Sequence, residues 1–263
     1  MRTSVRLIHR RSRLVSRKTS IVRMTLAILT IVTILAVGGR TPVGAQPPEA
    51  SPAPAAALPT PGDVDLVASR VYIFVGKTGL GHNHAVSGLV QAGRITLGAA
   101  DQAGMLVFDM RSLAADTVEA RKALGLSGET DAATQKQVHA TMTGPEILDV
   151  ARHPTATFLI RSALSAKQQV PGRPPVYELV GAVTLRGVTR DVMIPVEVEQ
   201  RGAWLRLRGE FVIKQTDFGM KPYKKLGGVV GVVDELRITG NILVRARPPG
   251  GGLAAPPAAG LGR

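Results

Sequence analysis

The sequence predicts an all-β domain, a sandwich or a closed barrel of eight antiparallel strands, with one helix between the third and fourth. Three observations point there. Between Tyr177 and Glu199, two alternating runs meet at Leu185-Arg186-Gly187-Val188, the pattern of a hairpin. Short alternating segments separated by Gly, Pro and Asp recur across the middle of the chain and leave no room for a βαβ repeat. The stretch from Asp131 to Met142 is the interruption that reads as helix.

In chain order the strands fall near Arg70 to Gly76, His82 to Leu97, Gly104 to Met110, Thr155 to Ala163, Val176 to Arg186, Asp191 to Glu199, Ala203 to Lys214, and Asp234 to Arg245. The second is long enough to need a bend, and Gly88 and Gly93 are where a curved strand can turn. In the hairpin, Leu179, Gly181, Val183 and Leu185 share one face and Val192, Ile194, Val196 and Val198 another, with Gly187 free to take positive φ in the turn. Thr130 or Asp131 can cap the helix, and Val138 and Met142 give it an apolar edge. Eight antiparallel strands can close on themselves, which removes exposed edges and encloses an interior for side chains or one apolar ligand.

The flanks have different compositions. Nine of the 33 Lys and Arg residues precede Gln46, where there is no Asp or Glu, so most of the net charge of +14 belongs to the leader. A basic segment to Arg23, an apolar stretch from Met24 to Val37 and the small residues Gly44-Ala45 read as a secretory signal over 1–45. The protein is therefore expected in the periplasm or secreted; the alternative is an uncleaved leader that anchors it to the inner membrane. Residues 46–62 form a Pro/Ala-rich linker and 247–263 a Pro/Gly-rich tail, both too poor in apolar bulk to fold. That leaves one domain over 63–246. The absence of cysteine excludes disulfides, thiolate nucleophiles and Cys-ligated metals.

That domain carries, in order, Ser69-Arg70-Val71, Gly81-His82-Asn83-His84, Gly144-Pro145-Glu146-Ile147-Leu148-Asp149, His153-Pro154-Thr155-Ala156-Thr157-Phe158, Gly187-Val188-Thr189-Arg190, Gln215-Thr216-Asp217-Phe218-Gly219 running on to Tyr223, and Asp234-Glu235-Leu236-Arg237-Ile238. In order and spacing these segments resemble the YceI-like family of exported, lipocalin-like polyisoprenoid-binding proteins. Many members carry histidine where this chain has Arg186. The resemblance implies an eight-stranded antiparallel lipocalin-like barrel that holds a long isoprenoid lipid, of quinone or polyprenyl type, as a ligand and uses no cofactor. The residues agree with the apolar part. If the alternations all face inward, Val71, Ile73, Val75, Leu106, Phe108, Met110, Phe158, Ile160, Val183, Leu185, Phe211 and Ile213 line one continuous surface. By periodicity alone the same residues describe an ordinary filled core.

At the expected mouth stand His82, His84, Phe218 and Tyr223. The two histidines, two apart, point to the same side of a strand, where they can serve as loop residues, hydrogen-bond a headgroup, or join a third ligand around a metal. A periplasmic metal-binding protein or enzyme using this pair is the competing function. No catalytic residue is assigned. Gly76-Lys77-Thr78 has Val71 where a phosphate-binding loop needs glycine, Asp217-Phe218-Gly219 lacks the other kinase motifs, and Ser87 lies in no nucleophile elbow. Glu197 and Glu199 read as a solvated strand face. Lys221, Lys224 and Lys225 form a basic loop that fits either plain solvation or transient contact with an anionic membrane surface. With five Phe, three Tyr and one Trp there is little to stack bases on, so nucleic acid is not expected as a partner. Whether the barrel forms a homodimer is left open by the sequence.

Overall fold

A computed structural model of the protein describes residues 59–248. The leader, most of the linker and nearly all of the tail lie outside the described residues. Strands β1 (Arg70–Gly79), β2 (His84–Ile95), β3 (Gly104–Ala115), β4 (Thr155–Ser165), β5 (Val176–Leu185), β6 (Val188–Arg201), β7 (Trp204–Lys214) and β9 (Val230–Arg245) pair in that order, each antiparallel to the next. Pairing of β1 with β9, from Arg70 opposite Asn241 to Gly79 opposite Val230, closes the sheet into an eight-stranded barrel. A two-residue strand, β8 (Lys224–Lys225), lies beside the start of β9.

The folded unit begins earlier than its composition suggests. Thr60 donates its backbone N–H to Asp63 at 2.7 Å, and Gly62 donates to the Arg245 carbonyl at 2.9 Å, so the last linker residues are stitched to the barrel. Strand β2 starts at His84, leaving His82 in the preceding loop, and the register slips near Gly88 and again between Val90 and Ala92. Those two bulges make the bend that so long a strand needs.

The connection from β3 to β4 carries two helices where one was expected. Helix α2 (Ala132–Thr143) is capped by Asp131, whose carboxylate accepts the Thr134 N–H at 2.9 Å. The additional helix is α1 (Val118–Ala123), capped by the Thr117 hydroxyl. Its six residues, VEARKA, carry no apolar stripe to announce it, and Ala120 and Arg121 are buried by tertiary packing alone.

At the β5–β6 turn both central residues take positive φ, Arg186 at 52° and Gly187 at 75°, the geometry that matches the twist of a two-residue hairpin. Glycine adopts it freely; arginine does not. What offsets the strain is visible in the side chain: the Arg186 guanidinium donates to the Gly219 carbonyl and, at 2.8 Å, to the Pro145 carbonyl. The residue that departs from the common pattern thus fastens the hairpin to two other segments.

Two apolar clusters fill the barrel ends. One, including Val64, Ile95, Ile160, Leu179, Ile194, Leu207 and Val244, closes the end opposite the helices. The other, including Val86, Met110, Leu113, Leu148, Phe218 and Met220, lies toward the helical end.

Candidate functional site

Inward residues of the barrel do not fill it completely. A cavity of about 350 Å³ remains, within the range of roughly 300–1,000 Å³ common for small-molecule sites. Its wall carries Val71, Ile73 and Val75 of β1, Leu106, Phe108 and Met110 of β3, Phe158 of β4, Val183 and Leu185 of β5, and Phe211 and Ile213 of β7. Ile160, expected beside them, is fully buried in the closed end and does not reach the cavity. It stays on the inward face of β4, but the first cluster packs over it.

Glycines help to keep the space open. Gly88, Gly209 and Gly240 are on the wall. A Cβ at Gly209 would come within 2.7 Å of Val196 Cγ1, so this glycine serves close strand packing. A Cβ at Gly240 would meet nothing nearer than 3.9 Å, which leaves that position facing free volume.

The helical end is the polar one. Helix α2 presents Gln137, Val138, Thr141 and Met142 to the cavity and has no buried residue, so it lies over the interior as a thin cover. Tyr223 and Gln215 join the wall from the segment after β7. Phe218, expected at the mouth, is buried at 1 % exposure in the second cluster. The short 3₁₀ turn Thr216–Phe218 swings its ring inward beneath the rim.

His84 is also on the wall, and its surroundings were not foreseen. Asp116, just beyond β3 and with a fully buried side chain, places Oδ2 at 2.6 Å from His84 Nδ1 and 3.4 Å from His82 Nε2. Its Oδ1 accepts the Ala85 N–H at 2.9 Å and an Arg121 guanidinium N–H at 3.2 Å. Burial pushes the Asp116 carboxyl up, but the hydrogen bonds from His84 and the Ala85 amide, with the charge of His84 and the bond from His82, outweigh it and bring it from 3.8 down to about 2. At neutral pH it is a carboxylate and can only accept, so His84 Nδ1 carries the proton. The remaining nitrogen, Nε2, makes no hydrogen bond to protein among the described residues.

Asp116 has a backbone φ of 54°, and Arg121 is itself held by the Ser127 and Gly128 carbonyls. No local pattern marks either residue. An acid after an alternating run reads as a strand end, and it is the register of the β2–β3 pair, with Val86 opposite Ala115, that sets it beside histidines more than 30 positions away.

A model of the YceI-like domain matches residues 63–243. The chain belongs to the YceI-like family. The match spans the whole barrel, from the bridge at Asp63 to the last strand. Among solved structures, this YceI-like chain is similar to BcnA of Burkholderia cenocepacia, at 21 % identity over 69 % of this chain and 99 % of that one, with a TM-score of 0.46. It is similar to a polyisoprenoid binding domain from Saccharophagus degradans implicated in plant cell wall breakdown, at 12 % identity over 70 % and 98 % of the two chains, with a TM-score of 0.47. A Campylobacter jejuni YCEI protein is similar at 9 % identity over 65 % and 84 %, with a TM-score of 0.37. Among curated proteins none matches.

Proposed function

We propose that this YceI-like barrel is an exported carrier that holds a long isoprenoid lipid, of quinone or polyprenyl type, for transport or storage without changing it chemically. The observation that carries the reading is the enclosed apolar wall with one polar end. Each methylene buried there contributes about 0.8 kcal/mol, so several isoprene units suffice for tight retention. At the polar end Gln137 and Thr141 can donate to a headgroup oxygen, and His84 Nε2 can accept from a headgroup hydroxyl. The leader supports export, and the neighbour described as a polyisoprenoid binding domain supports the ligand class.

In this reading, loading takes place at the rim. Leu80, Leu226 and Val229 are 66 %, 70 % and 51 % exposed, and the Leu80 N–H donates to the Val229 carbonyl at 2.9 Å, which brings the two loops together. The exposed Lys77, Lys224 and Lys225 pair with Val232, Gly231 and Val230 at the start of β9, beside these tips, and Tyr223, next to Lys224 in the chain, is on the cavity wall. Apolar tips beside exposed lysines fit the surface of an anionic bilayer. No helix among the described residues is long and apolar enough to cross a membrane.

Mass spectrometry of an organic extract from protein purified without detergent tests the carrier reading. An isoprenoid species in stoichiometric amount supports it. An empty extract, with no uptake of added quinone or polyprenol, overturns it.

A further inference from the structure

We propose that His82, His84 and Asp116 form a binding site for one divalent zinc ion at the rim of the barrel. The site does not depend on what fills the cavity. Three potential ligand atoms, His82 Nε2, His84 Nδ1 and Asp116 Oδ2, lie within 4.8 Å of one another. Around a tetrahedral zinc with bonds of about 2.0–2.2 Å, ligand atoms stand about 3.3 Å apart. The separation of Asp116 Oδ2 from His82 Nε2, 3.4 Å, already matches that spacing. The 2.6 Å separation from His84 Nδ1 is that of a hydrogen bond, where a proton occupies the place the metal would take. A shift of that proton to Nε2, which frees the Nδ1 lone pair for the metal, and a retreat of the His84 ring by less than 1 Å would open the gap.

The carboxylate is prepared for this task. Its Oδ1 is engaged by Arg121 and the Ala85 amide, so Oδ2 is the atom turned to the two rings, and the supporting bonds hold it there. Burial of Asp116 supplies a fixed ligand, whereas the His82 side chain, 44 % exposed, can adjust. The donor set, two imidazoles and a carboxylate, suits zinc, and the exposed side of His82 leaves a fourth position for water. Arg121 limits affinity by placing a positive charge on the far side of the carboxylate. Bound zinc would tie the loop before β2 to the end of β3, bracing the wall at His84.

The test uses the purified protein, stripped with a chelator and titrated with Zn²⁺ by calorimetry, with Co²⁺ absorption reporting on coordination. One equivalent of zinc is expected, with a melting temperature raised by roughly 5–10 °C at zinc a hundredfold above its dissociation constant. His82→Ala removes an exposed ring that donates no short bond, so the variant should fold, and it should lose the stoichiometric binding and the cobalt spectrum together. His139→Ala, on α2 and outside the cluster, should retain both. No zinc uptake by the stripped protein, or uptake that survives both His82→Ala and His84→Ala, overturns the proposal. Lipid extraction from His82→Ala separates the two functions: lipid retained while zinc is lost supports a metal site independent of the cavity, and loss of both overturns that independence.

Discussion

Asp116 Oδ2 sits 2.6 Å from His84 Nδ1 and joins the end of β3 to the start of β2 across the rim of the barrel. The pair sets the tautomer of the one histidine on the cavity wall and leaves its Nε2 free to meet a ligand. It also explains why an acid can be buried here: three sets of donors, from His84, Ala85 and Arg121, replace the water it has lost.

The pH dependence of stability should report this carboxylate. Its folded value, about 2, lies below the ordinary 3.8, so the folded state binds its proton less readily than the unfolded chain does. The stabilisation is therefore fully present above about pH 4 and is lost as pH falls through about 2, amounting to about 2 kcal/mol. Urea denaturation between pH 5 and 2 should show this loss, and Asp116→Asn should flatten that limb of the profile. An acid limb identical in the two proteins would show that other carboxylates govern it.

Gly240 offers a way to close the cavity without disturbing the strand. Its backbone is not in the left-handed region and a Cβ has room, so Gly240→Ala should be tolerated, gaining a few tenths to about 1 kcal/mol from the restricted unfolded chain. Gly240→Phe should fold, fill the interior and abolish uptake of a fluorescent isoprenoid analogue. Unchanged uptake by a folded Gly240→Phe protein would place the ligand elsewhere.

The barrel was legible in the sequence because its walls alternate. Val71, Ile73 and Val75 and the facing runs each show one apolar side, and pleat geometry turns that directly into an interior. Ile160 and Phe218 mark the limit of that rule. Alternation tells which side of a strand a residue occupies, not how far along the barrel the packing closes, and a 3₁₀ turn has no two-residue period. Asp116 was beyond reach for a different reason: its contact with His84 depends on the register of the β2–β3 pair, and its contact with Arg121 on the short helix α1, neither of which leaves a local pattern. Helix α1 was missed because one turn and a half with a single buried alanine carries no periodic signal.

Arg186 should matter for stability in a way its exposed turn does not suggest. Arg186→Ala removes the bonds to the Gly219 and Pro145 carbonyls and keeps a side chain at positive φ, so a loss of about 1–3 kcal/mol is expected in the urea midpoint. Arg186→Gly relieves the backbone strain while losing the same bonds and should fall between the alanine variant and the parent. Equal stability of all three would mean that these bonds contribute no net stability.

Membrane contact at the rim should combine a salt-sensitive and an apolar part. Replacing Lys224 and Lys225 by Gln removes two charges worth about 1 kcal/mol each near an anionic surface, so binding to phosphatidylglycerol vesicles should weaken by an order of magnitude or more. Leu226→Ser takes away the most exposed of the three apolar tips and should weaken binding at high salt as well, where the lysines are screened. Sedimentation with vesicles at low and high ionic strength separates the two. Binding that ignores both salt and Leu226 would remove this rim from the loading route, and the ligand would then have to enter beneath α2, where Gln137 and Thr141 face the interior.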